Sequence, residues 1–189
     1  KELPQWMNDF NARKLADSLT NKPWNTLLPL SDYTESTPDS ERYEGTYLGE
    51  AKTTFPHDLP LIRQTDKELV RKTPMGNTFT KEAAVAAIVG EKLGKGSATD
   101  FLAVSFSSTD YVGHQFGSNS VELEDTYIRL DRDLASMFSF LDSWLGKENV
   151  LVFLTADHGA ANNTSYSADA GIPSGNYDAA PQSDSIKKH

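Results

Sequence analysis

Two apolar runs, each ending in acidic and imidazole side chains, decide the fold predicted for this chain. Residues 101–117 read FLAVSFSSTDYVGHQFG and residues 149–160 read NVLVFLTADHGA. The apolar parts, at 101–106 and 150–154, are short and have no polar alternation. This pattern favours strands that are buried on both faces, as in a parallel sheet.

A long helix is predicted between the two runs, from Ser118 to Leu145. Its apolar side chains recur every three or four residues, at Leu123, Tyr127, Leu130, Leu134, Phe138, Leu141 and Leu145. Glu122, Glu124 and Asp125 lie in its first turn, where the helix dipole favours anions. We predict that these three carboxylates are solvated.

Strand, long helix and strand together form a βαβ unit over residues 101–161, whose two strands should be parallel neighbours or near-neighbours. We therefore predict an α/β fold, with a mostly parallel sheet flanked by helices, in a single domain over residues 1–189. Some strands of the complete sheet would be missing from this chain. The unpaired edge could then drive dimerisation.

The rest of the chain is predicted to be scaffold. The spacing predicts helices over Leu3–Leu19 and over Thr80–Leu93, with Thr80 as the N-cap of the second. Residues 73–77, TPMGN, are predicted to form a turn. Residues 31–50 are predicted to be a polar surface loop. His57, alone between two prolines, is interpreted as a solvated or structural histidine in preference to a ligand.

Composition limits the possible functions. The net charge of −9 argues against a nucleic acid as the main partner, because phosphate backbones require a basic surface. The sequence has no cysteine, so a transition-metal site must use histidine or carboxylates. No run approaches the length of a membrane helix, and we expect no membrane partner.

The polar residues after the apolar runs have the composition of a metal site. Asp110 and His114 are four residues apart, so on a helix they would share one face and could bind one ion. Asp157 and His158 are adjacent, and Gly159 could supply the bend that turns both toward an ion. Both pairs follow predicted strands, and ligands of open α/β sheets bind at the carboxyl ends of strands.

Three arrangements remain open for these four side chains. They could be structural hydrogen-bonded pairs, four ligands of one closed ion, or ligands of two ions about 4 Å apart, as in metal phosphohydrolases. Carboxylate and imidazole without thiolate favour zinc over manganese or iron.

The strings DYVGH and TADHG, with NSVELEDTYIRLDRDL between them, resemble the alkaline phosphatase superfamily. The resemblance is closest to its bacterial, periplasmic, broad-specificity branch, which is related to type I phosphodiesterases and nucleotide pyrophosphatases. It covers at least Phe101 to Ala161, and GIPSGNYD continues it. The resemblance implies that Asp110 and His114 bind one zinc ion, and that Asp157 and His158 bind the other.

The resemblance also implies parts that this chain does not show. In the family a nucleophilic Thr or Ser and a further Asp ligand lie upstream, yet no nucleophile turn is recognisable in residues 1–100. A third His ligand lies downstream in the family, and His189 is not assigned to that role. We therefore assign no catalytic residue and expect the chain to be a fragment that is inactive alone.

The resemblance implies a function for the parent protein. It would be a periplasmic or extracellular, zinc-dependent alkaline phosphatase that hydrolyses phosphate monoesters through a phospho-Thr intermediate. One alternative is hydrolysis of phosphodiesters or nucleotide pyrophosphates. A second is a non-catalytic α/β binding domain in which the Asp/His pairs are structural.

Overall fold

The computed structural model describes residues 2–175, which form helices joined by long loops. Seven α-helices occur in this range: α1 Gln5–Ala12, α2 Leu15–Leu19, α3 Leu59–Ile62, α4 Met75–Gly90, α5 Ser108–Phe116, α6 Val121–Leu145 and α7 Thr164–Asp169. Short 3-10 helices lie at Leu30–Asp32, Leu69–Lys72 and Lys147–Asn149. Helices α4, α5 and α6 pack against one another, and α1 and α2 pack against α4.

Helix α6 confirms the long helix predicted from the apolar spacing. It begins three residues later than predicted because Ser120 is its N-cap, with the Ser120 hydroxyl accepting a hydrogen bond from the Leu123 amide at 3.2 Å. It ends at Leu145, as predicted. Gly146 follows with φ of 85°, a conformation that glycine adopts without strain.

The predicted helix over Leu3–Leu19 is wrong in its continuity. Two helices replace it, because Lys14 takes a left-handed conformation with φ of 48° between α1 and α2. Tertiary contacts fix α1 on α4: the Phe10 ring lies 5.3 Å from the Phe79 ring, and Arg13 pairs with Glu82 at 3.2 Å. Packing on α4 therefore outweighs the helical periodicity of the sequence.

The turn predicted at residues 73–77 is also wrong, since α4 begins there. Pro74 directly precedes Met75, a place where the missing amide of proline costs no helical hydrogen bond. Thr80, predicted as the N-cap, lies inside the helix and donates its hydroxyl to the Gly76 carbonyl at 2.9 Å.

The predicted parallel sheet does not appear among residues 2–175. The two apolar segments, 101–106 and 150–154, are neither helical nor paired as strands, and the sole β-type pairing described is an antiparallel bridge between Trp24 and His57. A strand needs a neighbour for its backbone hydrogen bonds. Phe101 and Leu154 are 89% and 84% exposed.

Two apolar cores hold the helices together. The first joins the loops before α4 to α5 and the start of α6, and consists of Trp24, Tyr47, Leu59, Ile62, Leu69, Val112, Phe116 and Leu123. The second joins α4 to α6 around Ile88 and Met137, and Val104 and Phe106 pack on it. None of the helices within residues 2–175 combines the length and apolar character needed to span a bilayer.

Candidate metal centre

Helix α5 carries the first Asp/His pair. Asp110 and His114 lie on successive turns, and Nε2 of His114 is 3.4 Å from Oδ2 of Asp110. Both side chains are open to solvent, with 47% of Asp110 and 78% of His114 exposed. The condition set by the sequence, a helix that brings the two side chains to one face, is met.

The second pair lies in the loop after residues 150–154. Nε2 of His158 is 3.5 Å from Oδ2 of Asp157. On the other side of the ring, Nδ1 of His158 is 3.1 Å from the Gly159 carbonyl oxygen. When Nδ1–H donates to that carbonyl, Nε2 keeps its lone pair free, which is the arrangement that metal-binding histidines use.

The charges of the two pairs act on each other. The hydrogen bond to the Gly159 carbonyl raises the pKa of His158, the Asp157 carboxylate raises it further, and the Asp110 carboxylate adds to this increase. The carboxylate of the first pair therefore favours the protonated form of the histidine in the second pair.

The distance within each pair equals the separation that two ligands of one tetrahedral ion would have. With ligand atoms about 2.0–2.1 Å from zinc, neighbouring ligand atoms in a tetrahedron lie about 3.3–3.4 Å apart. The separations of 3.4 and 3.5 Å match this value. Within residues 2–175 no group of three or more potential ligand residues forms, so the described residues do not make a complete coordination shell.

Close packing at both ends holds α5 in place. At its start, a Cβ on Gly76 would meet Ser108 Oγ, so only glycine lets α4 approach this closely. At its end, the Phe116 ring packs against Tyr47 and His57, with ring centres 5.2 and 5.1 Å away. The Gln115 side chain also donates to a loop carbonyl, that of Thr46, at 2.7 Å.

His57 is a buried structural residue that links the loops to α6. Its Nδ1 lies 2.8 Å from Glu50 and its Nε2 lies 3.0 Å from Glu122. Burial acts to lower the pKa of His57, but the hydrogen bonds to Glu122 and Glu50 outweigh it and raise this pKa above its usual value. The structural half of the interpretation made for His57 is confirmed, and the solvated half is wrong.

The prediction that the carboxylates in the first turn of α6 are solvated is wrong for Glu122 and Asp125, both fully buried. Asp125 accepts four hydrogen bonds, from Trp24 Nε1, the Leu27 amide, the Tyr33 hydroxyl and Arg129 Nε, at 2.5 to 2.7 Å. A signal was present in the sequence. Glu122, Asp125 and Arg129 recur at helical spacing, which places these polar residues on one face.

Glu44 lies beside this buried cluster. Burial and the neighbouring Glu122 carboxylate raise the pKa of Glu44 to about 8. The nearby Thr53 side chain lowers the pKa of Glu44 by a smaller amount. Neither carboxylate oxygen of Glu44 has a hydrogen-bond partner among the described residues. Glu44 is therefore protonated in the folded protein at neutral pH.

Replacing Glu44 with glutamine is expected to make the protein less sensitive to alkaline pH. Between the unfolded pKa, near 4.5, and about 8, the folded state holds a proton that the unfolded state releases, so stability falls as pH rises. Glu44→Gln removes this loss, on the order of 2 kcal/mol after solvent screening. Urea unfolding at pH 5 and pH 9 measures the difference between the two pH values.

The matched control is Glu35→Gln, an exposed glutamate of the same loop region. It should leave the slope of stability against pH unchanged. A slope in Glu44→Gln equal to that of the natural protein would contradict the assignment of a protonated Glu44.

Comparison with known proteins gives the family. Residues 8–174 match the type I phosphodiesterase / nucleotide pyrophosphatase family. Alkaline phosphatase PhoV of Synechococcus elongatus is 54% identical over 162 residues, which cover 86% of this chain and 30% of PhoV. Alkaline phosphatase PafA of Elizabethkingia meningoseptica is 52% identical over 177 residues, which cover 93% of this chain and 32% of PafA.

A solved structure gives the fold. The crystal structure of wild type alkaline phosphatase PafA superposes with a TM-score of 0.93 at 48% identity, covering 100% of this chain and 36% of that one. The fold is therefore that of an alkaline phosphatase core. The chain spans about a third of the length of the relatives it matches. The chain belongs to the type I phosphodiesterase / nucleotide pyrophosphatase family.

Proposed function

We propose that this chain supplies two half-sites of a two-zinc phosphoester hydrolase. Asp110 and His114 would hold one ion, and Asp157 and His158 the other. The observation that carries the proposal is the pairing of donors: each pair holds an imidazole nitrogen 3.4 or 3.5 Å from a carboxylate oxygen, a separation that two ligands of one ion can have. The names of the relatives, alkaline phosphatases PhoV and PafA, support phosphate monoesters as the substrate.

The donor set favours zinc. One carboxylate and one imidazole per ion, without cysteine, agree with the ligands that zinc accepts. When bound, the ions would activate the nucleophile and stabilise the oxygen that leaves. Asp110 and Asp157 would each offset one positive charge, and the carbonyl of Gly159 would fix the tautomer of His158.

The complete reaction needs more than this chain. By the family resemblance, the natural full-length protein attacks the phosphate with a Thr hydroxyl and passes through a phospho-Thr intermediate. We assign no nucleophile within residues 1–189, and each ion would need further ligands. We therefore propose that residues 1–189 alone are inactive, and that the full-length protein works in the periplasm or outside the cell.

Removal and return of zinc tests the proposal. A chelator should abolish hydrolysis of a chromogenic phosphate monoester by the full-length protein, and zinc should restore it. Residues 1–189 alone should show no turnover with or without zinc. Activity that survives complete metal removal would contradict the proposal, as would zinc-dependent turnover by residues 1–189.

A second candidate activity is hydrolysis of phosphodiesters or nucleotide pyrophosphates, which the family description favours. The same two-ion site would serve either substrate. The ratio of kcat/KM for a monoester to kcat/KM for the matching diester separates the two. A ratio above one supports the phosphatase, and a ratio below one supports the phosphodiesterase.

A further inference from the structure

The loop that carries the second Asp/His pair is attached to the rest of the chain at few points. Within the described part of the chain, the hydrogen bonds that connect residues 155–163 to distant segments come from two side chains, Asn162 and Asn163. The hydrogen bonds shown for Thr155 and His158 stay within the loop. Of these two side chains, that of Asn162 is the one that ties the loop to the segment after α5.

Asn162 reaches the segment directly after α5. Its Oδ1 accepts a hydrogen bond from Ser118 Oγ at 2.9 Å and from Asn119 Nδ2 at 3.3 Å. Ser118 follows His114 by four residues, and Asn162 follows His158 by four residues. The contact therefore lies four residues beyond the histidine of each pair. Four residues of extended chain span at most about 14 Å, so the contact is at most that far from each histidine.

The sequence after His158 shows why Asn162 anchors this loop. Residues 159–161, GAA, have no side chain that can form a hydrogen bond. Asn162 is therefore the first residue after His158 whose side chain can anchor the loop. Its side chain offers one carbonyl oxygen to both donors, so a single acceptor makes the whole link.

The partners of Asn162 are themselves held in place. The Asn119 carbonyl accepts hydrogen bonds from the Thr37 amide at 2.7 Å and from the Thr37 hydroxyl at 2.9 Å. Asn163 donates to the Tyr43 carbonyl at 3.2 Å. The three segments around residues 37–43, 117–120 and 162–163 thus contact one another in turn. Asn162 makes the contact between the loop of Asp157 and His158 and the segment that follows α5.

We propose that Asn162 is a positioning residue that sets the spacing between the two metal ions, an inference that rests on the proposed function. It contacts no ligand atom and acts by holding the loop of Asp157 and His158 against the end of α5. Side chains that hydrogen-bond directly to a metal ligand change metal affinity by about 10- to 100-fold when removed, and the lower end of this range is expected for Asn162, which acts through the loop.

The test uses cobalt(II) as a probe for both sites of the natural full-length protein. Exchange coupling between the two ions, seen by electron paramagnetic resonance, reports their spacing, and a titration gives the two stepwise dissociation constants. Asn162→Ala removes the shared acceptor, and Asn162→Asp keeps it. Asn163→Ala is the matched control, because its hydrogen bonds go to Tyr43 and Ser165 instead of the segment after α5.

We expect Asn162→Ala to lose most of the coupling and to bind the second ion about tenfold more weakly. Asn162→Asp and Asn163→Ala should keep the coupling. A double variant, Ser118→Ala with Asn119→Ala, removes the donors and should reproduce Asn162→Ala. The melting temperature of the metal-free protein should stay nearly constant throughout, because Asn162 is exposed.

Two results would overturn the inference while leaving the proposed function intact. One is unchanged coupling and unchanged stepwise affinities in Asn162→Ala, and the other is loss of coupling in Asn162→Asp as large as in Asn162→Ala. If the natural protein itself binds no coupled pair of ions, the proposed function fails, and the inference fails with it.

Discussion

Replacing Asp110 and Asp157 together with asparagine is expected to abolish zinc binding and hydrolysis by the full-length protein while leaving the fold intact. Asparagine keeps the shape of each side chain but removes the charge that offsets the ion. We expect zinc affinity to fall at least 100-fold at each site. Turnover should fall by at least about 10³-fold, since each ion supplies several kcal/mol to the transition state.

The alternative, structural pairs in a non-catalytic domain, predicts the opposite outcome. The double variant would then lose folding, and zinc would never have stabilised the protein. Circular dichroism, thermal melting with and without zinc, and a phosphatase assay separate the two cases. Asp131→Asn with Asp142→Asn, two exposed carboxylates of α6, is the matched control and should change none of these quantities.

Asp125→Ala is expected to destabilise the protein by about 3–5 kcal/mol, out of a typical total of 5–15. The substitution leaves two buried donors, Trp24 Nε1 and the Tyr33 hydroxyl, without their acceptor, and Arg129 without its carboxylate, while the Leu27 amide keeps its bond to the Tyr33 hydroxyl. Unsatisfied buried donors keep their full desolvation cost. Urea unfolding measures the loss directly.

Asp131→Ala gives the reference for this measurement, because Asp131 is exposed on the same helix. It should change the free energy of unfolding by no more than about 0.5 kcal/mol. A loss below about 1 kcal/mol for Asp125→Ala would mean that the network around Asp125 contributes little to the fold.

Helix α6 and the helical face of Asp110 and His114 could be predicted because both follow from local spacing. Apolar residues recur every three or four positions along α6. A separation of four residues places Asp110 and His114 on one face of α5. These features need no partner from elsewhere in the chain.

The buried network could not be predicted in the same way. Glu122 and Asp125 look like solvated residues of a first turn, since their partners, His57, Trp24 and Tyr33, come from loops about 65 to 100 residues earlier. Local sequence does not record such contacts. The polar spacing that continues to Arg129 was the one available signal.

The parallel sheet is the second feature that local sequence could not predict correctly. The apolar composition of runs such as residues 101–106 favours burial. A strand forms only when a neighbouring strand supplies partners for its backbone hydrogen bonds. Within residues 2–175 the runs have none, and most of their large side chains stay exposed, although Val104 and Phe106 pack on the second core. His189, to which no role is assigned, lies outside the described residues.

The central claim is that the two Asp/His pairs bind two different ions, and zinc-edge anomalous diffraction from the zinc-loaded full-length protein tests it most directly. We predict two zinc peaks about 4 Å apart, one beside Asp110 and His114 and one beside Asp157 and His158. A single peak coordinated by all four side chains, or no peak at either pair, would contradict the claim.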